Sequence, residues 1–162
     1  KIAGIIELID ETVKSVRRIS SSLRPSMLDD LGLTAALEWY SEEVGKRTGI
    51  NVRFTSSMQS MDIPVAIATG IFRVYQEVLT NAVRHANARE IVSSLHFEDG
   101  HLLLQISDDG EGMDMSTIDG KKTLGLIGIK ERTFALGGKY EFKSEPGKGT
   151  EIKIDIPFSP GY

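Results

Sequence analysis

The sequence predicts an α+β fold, a two-layer sandwich in which a mixed, largely antiparallel sheet carries helices on one face, preceded by an N-terminal helix. Three observations lead there. Two pairs of alternating apolar and polar runs are joined only by short turns, Glu98-Asp99-Gly100 and Glu145-Pro146-Gly147-Lys148-Gly149, which makes each pair a hairpin. Other stretches place apolar residues at three- and four-residue steps, the spacing of a helix with one buried face. The resulting order is helix, helix, strand, helix, strand, strand, helix, strand, strand. Strands and helices do not alternate strictly, which argues against a parallel dinucleotide-binding sheet.

In chain order, residues 1–23 read as a helix, with Ile2, Ile5, Ile9, Val16, Ile19 and Leu23 on a heptad-like seam. Pro25 ends it, because the residue before a proline is pushed out of the helical region. Asp29-Asp30-Leu31-Gly32 reads as a turn. A second helix spans 33–48, with Leu33, Ala36, Leu37, Tyr40 and Val44 on one side and Gly49 as its C-cap. Residues 51–55 alternate as a strand. Asp62 is the expected cap of the third helix, with Pro64 in its first turn and its end near residue 86. Residues 90–97 and 101–107 form the first hairpin. A polar connector, 113–123, leads to a helix over 125–136 that stops at Gly137-Gly138. Residues 139–144 and 150–157 form the second hairpin, and 158–162 read as a frayed tail.

Composition narrows the function. The chain has 162 residues, 40% hydrophobic and 26% charged, an ordinary globular balance. Its 19 basic and 23 acidic residues give a net charge of −4, so no basic excess marks a nucleic-acid surface. There are no cysteines, which excludes disulfides, thiolate metal sites and cysteine nucleophiles. No apolar run approaches the roughly 20 residues of a membrane span, and no signal peptide opens the chain. The chain starts within a helical pattern, so it is expected to be a piece of something longer, with any membrane segment upstream.

The third helix carries an unusual polar stripe. At about 100° per residue, Asn81 lies about 40° from Glu77 on one side and Arg84 about 20° on the other, while Ile71, Tyr75, Val78, Leu79, Ala82, Val83 and Ala86 spread over the far face. Taken alone, such a stripe is the ordinary solvated face of an amphipathic helix. Asp108-x-Gly110-x-Gly112 follows a strand. Glycines let backbone approach a ligand, and a carboxylate at a strand end can accept from an exocyclic purine amine. Gly125-x-x-Gly128, read at the start of a helix, is a second candidate anion site. The chain has no Walker A pattern. The Asn81 amide oxygen suits Mg²⁺, which keeps few protein ligands beside phosphate oxygens. Glu77, one turn earlier, can hold a metal-bound water or polarise an attacking group, and Arg84 and His85 can face phosphate.

Together, Glu77-x-x-x-Asn81-x-x-Arg84-His85, Asp108-x-Gly110-x-Gly112, Gly125-Leu126-x-Gly128-x-x-Glu131-Arg132 and Gly147-x-Gly149-Thr150 resemble the asparagine box and successive glycine boxes of the histidine-kinase ATPase domain. That domain shares a superfamily with DNA gyrase, MutL and a major heat-shock chaperone. The run Leu23-Arg24-Pro25-x-x-Leu28-Asp29-Asp30-Leu31-Gly32-Leu33 resembles the junction after the dimerisation helices in sensor kinases of the DesK/NarX type.

The resemblance implies a catalytic ATP-binding domain over 33–158. Residues 1–24 would be the second dimerisation helix, 25–32 a hinge and 159–162 a tail. It implies ATP and Mg²⁺ as cofactors. Asn81 would be the metal ligand and Glu77 the catalytic carboxylate, with Arg84 and His85 by the phosphates. Asp108 would read adenine with help from the Gly112 backbone, and Gly110 would also be a nucleotide-binding residue. Met113 would open a short lid, Gly125, Leu126 and Gly128 would form its hinge and phosphate-facing end, and Thr150 would lie near adenine. The implied partners are a second copy of the chain and a response regulator with a LuxR-type DNA-binding domain. Nucleic acid would not be bound directly, the membrane would be reached only through upstream segments, and the domain would face the cytoplasm. No stretch matches the family's phosphoacceptor context: His85 belongs to the asparagine box, and His96 and His101 flank a hairpin turn. The alternatives are a serine kinase of the anti-sigma-factor type and a non-catalytic docking domain.

Overall fold

A computed structural model of the chain describes residues 26–58, 61–114 and 120–159. The expected N-terminal helix over 1–23, the centre of the polar connector and the last three residues lie outside the described residues. The elements run α1 (Ser26–Asp30), α2 (Gly32–Thr48), β1 (Asn51–Ser56), α3 (Val65–Asn81), a π-helical turn (Ala82–Ala86), β2 (Glu90–Glu98), β3 (His101–Asp108), α4 (Gly120–Ala135), β4 (Lys139–Ser144) and β5 (Thr150–Pro157).

Among the described residues, five strands form one sheet in the order β1-β2-β3-β5-β4. β1 runs parallel to β2, and every other neighbouring pair is antiparallel. The hairpins follow from their turns. Asp99 and Gly100 both take positive φ, 51° and 81°, the backbone that a two-residue connection between twisted strands requires. The parallel pair needs a crossover, and α3 supplies it. The sheet is therefore mixed and largely antiparallel, as the sequence predicts.

Alternation puts Ile91 and Leu95 of β2, Leu102, Leu104 and Ile106 of β3, and Ile152, Ile154 and Ile156 of β5 on one buried face. Helices cover it. Leu37 of α2 and Ile71, Phe72, Tyr75 and Leu79 of α3 are almost fully buried against it. Each such side chain contributes roughly 1.5–3 kcal/mol when removed from water. One polar network threads this core. The Tyr75 hydroxyl lies 2.7 Å from both the Ser41 and Ser93 hydroxyls, while Ser41 Oγ donates to the Leu37 carbonyl and Ser93 Oγ to the Arg53 carbonyl. It ties α2, α3, β2 and β1 together. Burial pushes the Tyr75 hydroxyl above its ordinary pKa, so it stays a donor.

Four local expectations change. The turn expected at 29–32 shrinks to Leu31: Asp29 and Asp30 are helical, and Gly32, at φ 84°, makes the break. Asp62 does not cap α3; Pro64 occupies the N-cap position, and no side chain bonds the helix start. α4 begins at Gly120 rather than 125, because Leu126 and Ile129 anchor it on the core and the polar residues ahead simply extend the helix. Phe158 is not frayed. Its N–H donates to the Gly100 carbonyl, and its ring lies 4.9 Å from that of Phe97. Gly49 caps α2 as expected, left-handed and with its N–H on the Gly45 carbonyl. Among the described residues no helix is long and apolar enough to cross a membrane.

Candidate functional site

The apolar face of α3 is sunk in the core, which fixes its opposite face at the edge of the molecule. Glu77 and Asn81 are half-buried there, and Arg84 and His85 are exposed. Among the described residues none of these four side chains makes a hydrogen bond or ion pair. Regular α-helix ends at Asn81, and Ala82–Ala86 form a π turn closed by Asn87 in the left-handed region. Each turn of such a helix holds one more residue than an α turn, so Arg84 and His85 fall behind the straight-helix angles. The neighbouring loop is tied to the end of this turn. The Ala86 carbonyl accepts the Glu111 N–H at 2.7 Å, and the Asn87 amide donates to the Glu111 carboxylate at 3.0 Å.

That loop leaves the end of β3. Asp108 is half-buried, and its Oδ1 accepts the Gly110 N–H at 2.9 Å. Burial pushes its carboxyl above the ordinary pKa, although the Gly110 and Thr150 main-chain bonds pull the other way. Its neighbour Asp109 turns outward. The Glu90 and Arg89 N–H groups, each at 2.8 Å, hold that carboxyl below its ordinary value.

The glycines here answer first to the protein itself. A Cβ on Gly110 would come within 2.3 Å of the Ala86 carbonyl, on Gly112 within 2.0 Å of the Glu145 carbonyl, and on Gly149 within 2.0 Å of the Asp108 carbonyl. Three segments are thus pressed main chain to main chain, and Gly112 and Gly149 also need positive φ.

α4 rides directly over the stripe. A Cβ on Gly125 would lie 3.1 Å from both Asn81 Nδ2 and Glu77 Oε1. Gly125 and Gly128 are inside the helix, so the helix-start anion site expected of them is not present: their N–H groups lie within a helix that starts at Gly120. Two spaces flank this crossing. The first is a cleft of about 530 Å³, counting its open mouth, lined by Asn81, His85, Asp108, Gly112, Met113, Leu126 and Thr150, with Val78, Ala82, Ala86, Phe142 and Ile152 as apolar walls. The second, about 510 Å³ counted the same way, lies between α3 and α4 and is lined by Val74, Glu77, Gly125, Gly128, Ile129 and Arg132.

The structure therefore brings together eleven of the expected site residues, directly or as supports. Gly110 and Arg84 line neither space, but Gly110 supports the cleft through its close approach to the Ala86 carbonyl. Met113 is tied down, its N–H donating to Ser144 Oγ at 2.8 Å, while 115–119, the centre of the expected lid, lie outside the described residues. Sequence reasoning missed Ser144, Phe142 and Ile152. The last two alternate like ordinary core residues, and Ser144 carries no motif. Among the described residues no group of three or more His, Cys, Asp or Glu side chains could hold a metal ion. Asn81 and Glu77 offer oxygen donors only, which fits a hard cation that completes its shell with phosphate oxygens and water.

Comparison with known proteins agrees with this geometry. Residues 66–160 match the family described as histidine kinase-, DNA gyrase B- and HSP90-like ATPase. The histidine kinase domain of the Erythrobacter litoralis EL346 blue-light activated histidine kinase is similar at 28% identity and a TM-score of 0.64, over 78% of this chain and 61% of that one. The chain thus spans about three fifths of that domain's length. The Acinetobacter baumannii histidine kinase AdeS shares the fold at 19% identity and a TM-score of 0.61, over 95% of this chain and 80% of that one. The mycobacterial sensor histidine kinase MprB does so at 23% identity and a TM-score of 0.58, over 78% of this chain and 94% of that one.

Proposed function

The chain belongs to the family of histidine kinase-, DNA gyrase B- and HSP90-like ATPases, and on that premise we propose that it is the catalytic ATP-binding part of a two-component sensor histidine kinase of the DesK/NarX type. The observation that carries the reading is the first cleft: apolar walls close on one half-buried carboxylate, Asp108, and Asn81 of the unpaired stripe lines the same space. A purine fits such a slot. Asp108 accepts from its exocyclic amine, Val78, Leu126, Phe142 and Ile152 shield its faces, and the phosphates leave along α3. Gly112, Met113 and Thr150 border the base, with Gly110 holding the loop in place. His85 and Arg84 stand near the phosphates.

Asn81 Oδ1 would ligate Mg²⁺. When bound, that ion offsets phosphate charge during in-line transfer. The acceptor imidazole attacks the γ-phosphorus with its lone pair. The bond from phosphorus to the β–γ bridging oxygen breaks, its electron pair leaves on ADP, and Glu77 takes the imidazole proton. The phosphoryl group then passes to a response-regulator aspartate, in a regulator with a LuxR-type DNA-binding domain. Residues 1–24 supply the second helix of a homodimerisation hairpin, 25–32 the hinge and 33–158 the ATPase domain. The domain faces the cytoplasm, where ATP is.

Calorimetric titration with a non-hydrolysable ATP analogue tests the reading. The expected outcome is saturable one-to-one binding that Asp108→Ala abolishes. A folded chain that binds no nucleotide would overturn it.

A further inference from the structure

At the end of the sheet that carries Asp108, three polar side chains stand in one row. Ser144 of β4 is the register partner of Thr150 on β5, and Thr150 is the register partner of Asp108 on β3. Register partners point to the same face, here the face on which Ile106 and Ile152 are buried beneath the helices. Asp108 and Thr150 line the first cleft, and Ser144 stands behind Thr150, outside the lining. Any effect of Ser144 on a ligand is therefore passed through its neighbours.

Its hydroxyl is fully engaged. Ser144 Oγ accepts the Met113 N–H at 2.8 Å, and it lies 3.1 Å from the Gly149 carbonyl and 3.0 Å from Thr150 Oγ1. A serine hydroxyl has one proton and two lone pairs. The Met113 N–H takes one lone pair. A carbonyl accepts and cannot donate, so the Gly149 contact takes the proton. The second lone pair is left for Thr150, which must donate to it. No other arrangement satisfies the three contacts together. It turns the Thr150 proton toward Ser144 and leaves Thr150 showing lone pairs to the cleft. Beside it stands the Asp108 carboxylate, held by the Gly110 N–H at 2.9 Å and by the Thr150 N–H.

We propose that Ser144 is a positioning residue for base selection: by taking the Thr150 proton it fixes Thr150 as an acceptor beside Asp108, so that the cleft takes a 6-amino purine and rejects a 6-oxo purine. The assignment rests on the nucleotide reading of the first cleft. Two acceptors side by side are met by donors. A 6-amino group brings two N–H donors to that edge, whereas a 6-oxo group puts a third acceptor in the same place, left without a hydrogen bond. Without Ser144, the Thr150 hydroxyl is free to turn its proton into the cleft and donate to the oxo group.

The test compares calorimetric affinities for ADP and inosine diphosphate, both with Mg²⁺, in the wild-type chain, Ser144→Ala, Ser144→Thr, Thr150→Val and the double variant Ser144→Ala/Thr150→Val. The wild type should prefer ADP by about 100-fold, the upper range of one charge-assisted contact. Ser144→Ala should narrow that preference about tenfold, chiefly through tighter binding of the inosine nucleotide, and Ser144→Thr, which keeps the hydroxyl, should retain it. Thr150→Val removes the acceptor and should also narrow the preference. Adding Ser144→Ala to it should change the preference no further, because no Thr150 hydroxyl remains to be oriented. A purely structural role for Ser144 would weaken both nucleotides alike. That outcome, or an unchanged preference in Ser144→Ala, would overturn the assignment. If Ser144→Ala does not fold, an unchanged preference in Thr150→Val overturns it instead. If the wild type binds both nucleotides equally, the assignment fails alone. If it binds neither, the nucleotide reading fails and takes the assignment with it.

Discussion

At one end of the cleft, Gly110, Gly112 and Gly149 press three stretches of main chain together, and Asp108 is fixed by main-chain hydrogen bonds. At the other end, Glu77, Asn81 and Arg132 lie around the place where α4 crosses α3 at Gly125, and none of their side chains has a hydrogen-bonded partner among the described residues. The contrast separates two tasks. Recognising a rigid base rewards groups that are already in place, since nothing then has to be ordered on binding. Moving a charged phosphoryl group needs polar side chains that are not spent on one another. Stability is concentrated at the first end and chemical capacity at the second, so changes at the two ends should break different things.

The largest effect is expected at the packed end. Gly149→Ala adds a Cβ 2.0 Å from the Asp108 carbonyl at φ 75°. A left-handed backbone costs a non-glycine residue about 1–2 kcal/mol, and overpacking a further 1–3, so urea unfolding should show a loss of about 3 kcal/mol with the slope unchanged. At the open end, Asn81→Ala should leave unfolding within about 0.5 kcal/mol of wild type yet lower phosphoryl transfer to an added acceptor domain by about 100-fold. Full transfer in that variant would remove Asn81 from the chemistry.

The smallest effect sharpens the contrast between neighbours. The folded pKa of Asp108 is raised, so protonation favours the folded state, and its contribution to stability grows as pH falls through that raised value. The folded pKa of Asp109 is depressed, so its contribution is present above the ordinary carboxylate pKa of about 3.9 and is lost as pH falls through the depressed value. Only ionised Asp108 accepts from an amine without donating. Nucleotide affinity should therefore weaken on acidification earlier than an ordinary carboxylate would predict, and calorimetry across mildly acid pH checks this.

Most of the architecture was legible because it rests on local patterns. Alternation marks Glu90–Glu98 and His101–Asp108 as strands, and Asp99-Gly100 declares the turn between them. What was not legible is set by contacts far apart in sequence. The parallel pairing of β1 with β2 leaves no sign in Asn51–Ser56 itself. The π turn over Ala82–Ala86 leaves no mark in five residues of apolar spacing, and neither does the Glu111 N–H that closes on the Ala86 carbonyl. The start of α4 is hidden because Gly120-Lys121-Lys122-Thr123 has the composition of a loop. Within the site, Asp108 and Asn81 stand out by motif. The glycines were recognised, but they were read as making room for a ligand when carbonyls of the chain itself already crowd Gly110, Gly112 and Gly149.

The parallel pair also orders assembly. Each hairpin closes across a few residues, whereas Asn51 and Glu90, whose side chains meet at 2.7 Å, are 39 positions apart. Loop-closure entropy makes that pairing slower to form than either hairpin, and the same holds for β3 with β5, whose paired residues are still farther apart in sequence. The segment between β1 and β2 is the helix that bears Glu77 and Asn81. A chain that has formed only its hairpins thus has neither the packed glycine loop, which needs β3 beside β5, nor a stripe opposite it, and its capacity for phosphoryl chemistry comes into being as those long-range pairings close.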